Sequence, residues 1–173
     1  PFVLGSGQLS KLISPPSGLE KAILFTLNQD LLLERLYGTR GIGVSWFDAS
    51  FYNPGTKLEK QSFVHLPSVF DKEKLDQAIG NTAATIYVKL HGSYGWMSHK
   101  GGTSMLVGIN KMGDIEKEPV LKTYFEFFQS TIEEGDKKLL IIGYGFKDEH
   151  VNHVLLEGVR NHKLKLYVIN PSS

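Results

Sequence analysis

The sequence predicts an α/β protein built on a doubly wound, mostly parallel sheet with helices on both faces. Five short runs rich in Val, Ile, Leu and Phe are continuously apolar rather than alternating, as strands buried on both faces are. Segments with helical periodicity lie between them, and strand, helix, strand in succession implies right-handed crossover connections. Each run also stops at a small or polar residue, which marks where the chain leaves the sheet.

In chain order the strand candidates are PFVLGSG (1–7), AILFTLNQD (22–30), TIYVKLHG (85–92), KLLIIGYG (138–145) and LKLYVIN (164–170). The helical patterns are DLLLERLYG (30–38), stopping at Gly38, and PVLKTYFEFFQSTIEEG (119–135). The second opens at Pro119, whose missing N–H costs nothing in a first turn, and closes at Gly135. A third, KDEHVNHVLLEGVRNH (147–162), puts Val151, Val154, Leu155 and Val159 on one face. Residues 39–83 are mixed, with a short helical signal near 71–79, and read as an insertion or cap. Residues 97–118 read as a second irregular piece, with Gly101-Gly102 as a mobile turn. No repeat period is present, so a single domain over 1–173 is expected. The chain begins inside a strand-like run without methionine and stops at VINPSS, which leads us to expect a piece of a larger protein.

Composition narrows the function classes. With 173 residues, 41% hydrophobic and 21% charged, the chain has enough apolar material for a real core. Its 19 basic and 18 acidic residues nearly cancel and are interspersed, which leaves no stripe for a nucleic-acid backbone. The absence of cysteine removes disulfides and thiolate metal ligands, and it fits a reducing cytoplasm. No apolar run reaches the roughly 18 residues of a membrane span and the first residues lack a charged, apolar, small-residue signal pattern, so a soluble segment is expected.

In open parallel sheets, ligands bind beyond the carboxyl ends of the strands, where loops diverge and helix N-termini point free N–H groups inward. The five ends here carry Gly5-Ser6-Gly7, Asn28-Gln29-Asp30, His91-Gly92, Gly143-Tyr144-Gly145 and Asn170. Gly5, Ser6 and Gly7 suit either a phosphate cradle or a plain strand-to-helix turn, because Ser10 stands where a dinucleotide fingerprint has its third glycine. Asn28 and Asp30 suit either helix capping or ligand contact. His91 would stand at the rim of a shared crevice, with Gly92 removing bulk where a ligand approaches. His65, His99 and His162 lie in polar or loop contexts. His150 and His153 share a helix at three-residue spacing, but no HExxH frame or third ligand accompanies them, so helix surface or capping suits them better than metal binding. Tyr94 and Trp96 read as core aromatics or as base-stacking partners.

Taken in this order, AILFTLNQDLLLERL, VKLHGSYGW, PVLKTYFEFF, LLIIGYGFKDEHVNHVL and LYVINP resemble the SIR2-like family, specifically the SIR2-like domains of prokaryotic antiphage defence proteins. The resemblance spans about 22 to 171 and implies a Rossmann-like NAD-binding fold. It implies that Asn28 contacts the nicotinamide ribose and that His91 acts near the ribose hydroxyls. Asp30 matches the aspartate of the same motif, Gly143, Tyr144 and Gly145 match a phosphate- and ribose-contacting loop, and Asn170 matches an adenosine-ribose contact. Protein-deacylating sirtuins carry a cysteine-ligated zinc module that this chain lacks, so NAD⁺ hydrolysis is expected over deacylation. The chain between Gly7 and Ala22 is shorter than the family's, and SPPSG at 14–18 marks where residues would be missing.

The implied activity is that of a cytoplasmic NAD⁺ glycohydrolase, with NAD⁺ as substrate and no metal, which depletes NAD⁺ in antiphage defence. Further domains of the same chain or an activating protein would release it, and a homo-oligomer is expected. Neither a membrane nor nucleic acid is an expected partner of this domain. The alternative is a non-catalytic module that senses NAD⁺ or ADP-ribose.

Overall fold

The computed structural model describes residues 23–32, 63–70, 72–73, 75–76, 86–108 and 110–170. Gly5, Ser6, Gly7 and most of the helix expected over 30–38 lie outside them. The chain divides into two compact units, with the boundary between Tyr124 and Phe125.

The first unit contains β1 (Ile23–Thr26), β2 (Val64–His65), β3 (Ile86–Lys89), β4 (Gly92–Met97), β5 (Thr103–Met105) and α1 (Lys111–Lys117). Strands β1 and β3 pair in parallel, from Ile23 opposite Ile86 to Thr26 opposite Lys89. A second small sheet has the order β2-β4-β5, with β2 parallel and β5 antiparallel to β4. All of β3 is buried, with Val88 fully enclosed. Trp96 packs against Tyr124 with ring centroids 6.4 Å apart, and Phe70 meets Tyr124 edge-on at 5.9 Å. Each such ring contributes about 1.5–3 kcal/mol through burial. Trp96 is therefore a core residue, while Tyr94 is exposed.

Helix α2 (Pro119–Glu133) spans the boundary between the units. Val120, Leu121, Tyr124, Phe125, Phe128 and Ile132 are its buried apolar residues, at the spacing of a single helical stripe. The second unit continues with β6 (Lys138–Ile142), α3 (Glu149–Asn161) and β7 (Lys165–Ile169). Strands β6 and β7 pair in parallel over five residues, as a strand, helix, strand unit requires. The result is a mixed α/β architecture with parallel strand pairs, as the sequence predicts, although the sheets are small.

Several local expectations change. The segment expected to be irregular carries regular elements: β4 and β5 form a hairpin around Ser98–Gly102, closed by Ser98 N–H to Gly102 O at 2.9 Å, and α1 follows. Polar side chains and glycines hid both elements, since α1 buries only Ile115. On α3 the buried face is Val151, Val154, Leu155 and Gly158, and Val159 is exposed. Gly158 belongs there because a β-carbon on it would lie 2.3 Å from Ile132 Cγ2 and 2.9 Å from Leu164 Cδ2. Burial on both faces holds for β3 but not for β6 and β7, where Leu140, Ile142, Tyr167, Val168 and Ile169 are exposed. Among the described residues this sheet is only two strands wide, too narrow to cover both of its faces.

Candidate functional site

In the first unit, the parallel β1–β3 ladder brings Asn28, Asp30 and His91 to one end of the sheet. Past the last rung, Leu90 N–H donates to Thr26 O at 3.0 Å, so the two strands leave the ladder together. Asn28 is exposed, and its main-chain N–H donates to Thr26 Oγ1 at 3.1 Å. The amide can donate and accept without titrating. Asp30 Oδ1 accepts the Leu32 N–H at 2.8 Å, the bond of a residue that starts a helical turn. The carboxylate is thus engaged locally while remaining exposed.

His91 lies in the tight turn between β3 and β4 and keeps only 4% of its surface exposed. The sequence places it on the rim of a crevice, but the structure sinks it below the surface. Leu106 N–H donates to His91 O at 2.9 Å, closing β5 onto the turn. Gly92 has φ of +79°, and a β-carbon there would lie 1.9 Å from Ser104 O. The group that demands this glycine is the β5 main chain rather than an approaching ligand.

Two residues that the sequence reading passed over tie this corner together. Gln29 Nε2 donates to His91 O at 3.0 Å and to Leu106 O at 2.7 Å, and Tyr94 N–H returns a bond to Gln29 O at 2.7 Å. Lys89, 1% exposed, donates from Nζ to Asp30 O and, at 2.9 Å, to Ser93 Oγ. A lysine buried at a strand end and a glutamine inside a polar triplet were the available signals.

In the second unit, β6 and β7 end side by side and gather Gly143, Tyr144, Gly145 and Asn170. Gly143 N–H donates to Ile169 O at 2.9 Å, and Asn170 Nδ2 donates to Tyr144 O at 3.1 Å. The Tyr144 hydroxyl lies 3.1 Å from Asp148 O and 3.0 Å from Asn152 Oδ1. Its single hydrogen is shared between these two acceptors. Asn152 Nδ2 is committed to Phe146 O at 2.8 Å, which fixes the orientation of its amide. Burial raises the Tyr144 pKa above its usual value of 10.0; the Asp148 main-chain bond opposes this, and the Asp148 charge adds to it. The Tyr144 and Phe146 rings lie 4.7 Å apart. Gly143 has φ of +67°, and among the described residues no atom lies within 4 Å of where its β-carbon would be. Its main chain is open to a close approach, as a backbone that meets a phosphate must be.

Each of the other histidines has local surroundings of its own. His99 sits in the β4–β5 turn with Nδ1 3.7 Å from Glu118 Oε1, and His162 closes α3 with its N–H on Gly158 O. In the second unit the His150 ring stacks 5.5 Å from Phe125, and His153 is exposed.

The family model of the SIR2-like domain matches residues 22–173. The match includes both strand-end clusters and excludes Gly5-Ser6-Gly7. The chain belongs to the SIR2-like domain family, and with that membership comes an NAD-related function. No curated protein matches the sequence. Among the described residues no helix is long and apolar enough to cross a membrane.

Proposed function

We propose that the domain is an NAD⁺ glycohydrolase that cleaves the bond between nicotinamide and ribose. The observation that carries this reading is the pairing of an exposed Asn28 with His91 at the ends of two in-register parallel strands, in a chain of the SIR2-like family. The chemistry asks little of the protein. Nicotinamide leaves with the glycosidic electron pair, which neutralises its own ring charge, and the sugar passes through an oxocarbenium-like state. Water adds at that carbon and gives up one proton, so the products are nicotinamide, ADP-ribose and a proton.

Asn28 would hold a ribose hydroxyl or the incoming water through its amide. The His91 imidazole would accept the proton, general-base help worth about 10²–10⁴-fold. Asp30 holds the turn that presents Asn28. Gly143, Tyr144, Gly145 and Asn170 are assigned to the phosphates and the adenosine ribose, and Gly5, Ser6 and Gly7 to the pyrophosphate. The reading calls on no metal. In the cell the reading is of a cytoplasmic effector that depletes NAD⁺ in antiphage defence, works as a homo-oligomer and is released by a neighbouring domain or an activating protein.

Nicotinamide release from NAD⁺ by the full-length parent protein, with its activator, tests this. Turnover that disappears in both Asn28→Ala and His91→Ala while folding persists is the expected result. The burial of His91 favours one competitor, a module that binds NAD⁺ or ADP-ribose without cleaving it. Measurable NAD⁺ binding without nicotinamide release in the activated protein would establish that reading instead.

A further inference from the structure

We infer that Gln29 and Lys89 are positioning residues for Asn28 and His91, a half-buried and a buried strut that hold the loop after β1 against the β3–β4 turn. The inference rests on the proposed hydrolysis. Neither strand end is stiff on its own: residues 28–30 follow the ladder as irregular chain, and residues 90–91 form a tight turn. Hydrolysis needs the amide and the imidazole at a fixed separation, and a displacement of about 1 Å can cost about 100-fold in rate.

The Gln29 side chain meets that need from one side. Both of its bonds run from Nε2 to main-chain carbonyls, so both amide hydrogens are spent and the amide has one workable orientation. One acceptor is the carbonyl of His91 itself, 62 positions away in sequence, which also receives the Leu106 N–H. The main chain that carries the imidazole is therefore pinned from β5 and from the Asn28 loop at once. Lys89 meets the need from the other side. Its Nζ joins Asp30 O, two residues beyond Asn28, to Ser93 Oγ, two residues beyond His91. Each strut spans the two loops, and neither depends on the other.

The test is steady-state kinetics of nicotinamide release in the activated full-length protein, beside a urea midpoint for each variant. Gln29→Glu keeps size and shape but replaces the donor with an oxygen facing two carbonyls, and Lys89→Met keeps the aliphatic stem without Nζ. The expected result is a fall in kcat of about tenfold or more in both, with KM within about twofold of wild type, because substrate affinity survives while alignment does not. Lys89→Arg, which retains a donor, is expected to recover part of the kcat lost in Lys89→Met. Should Lys89→Met fail to fold, Gln29→Asn carries the test, since its shorter arm cannot reach both carbonyls. Folded variants with wild-type kcat overturn the inference and leave the hydrolase reading intact. A kcat that falls only in step with the folded fraction overturns it in the same way. A wild type that binds NAD⁺ and releases no nicotinamide removes both.

Discussion

Gly92 and Ser104 come so close that a β-carbon on Gly92 would stand 1.9 Å from the Ser104 carbonyl oxygen. The opposing atom belongs to the β5 main chain and has no rotamer by which to escape. Gly92→Ala adds an unfavourable positive φ to that collision, so we expect a loss of more than about 2 kcal/mol, read as a lower urea midpoint. An unchanged midpoint would show that β5 can move away.

Gly143 gives the opposite expectation. It also has a positive φ, but no described atom crowds it. Gly143→Ala should cost only about 1 kcal/mol in stability through backbone strain. A phosphate lying against that main chain would meet the new methyl group, so NAD⁺ affinity by calorimetry is expected to fall by about tenfold or more. Equal affinity would separate this loop from the ligand.

Gly158 is required for packing between α3 and α2. Gly158→Ala gains about 1 kcal/mol of helix propensity but forces a methyl group against Ile132 and Leu164. Overpacking of this kind costs about 1–3 kcal/mol, so a net loss in thermal midpoint is expected.

Tyr144 supplies a pH signature. Its pKa is raised in the fold, so the stability linked to its neutral phenol is complete below the unfolded value of 10.0 and is lost as pH rises through the higher folded value. The difference in urea midpoint between wild type and Tyr144→Phe should therefore be constant through neutral pH and shrink only above pH 10. A difference that changes near neutrality would point to another titrating group.

The parts legible in the sequence were those whose signal is apolar and local. Residues 23–26, 86–89, 138–142 and 165–169 announce themselves as β-branched runs, and α2 does so through its Pro119 start and its aromatic stripe. The β4–β5 hairpin escaped notice because GSYGWM alternates glycine and serine with aromatics, so its pairing depends on main-chain bonds that leave no apolar pattern. Gly158 escaped because a residue without a side chain registers as a gap in a hydrophobic stripe, although here its smallness is what lets two helices and Leu164 meet. Strand ends pointed to Asn28, Asp30, His91, Gly143 and Asn170 as candidates. They could not give Gln29 or Lys89 a role, because that role lies in partners about 60 positions away or on the far side of a turn.

The in-register ladder between β1 and β3 also bears on how such a domain diversifies. Hydrogen bonds, not chain length, hold the two strand ends side by side, and the entropy of closing the intervening chain rises by only about 0.6 kcal/mol for each doubling of its length. By that term alone, a change in the length of chain between β1 and β3 costs little at the strand ends.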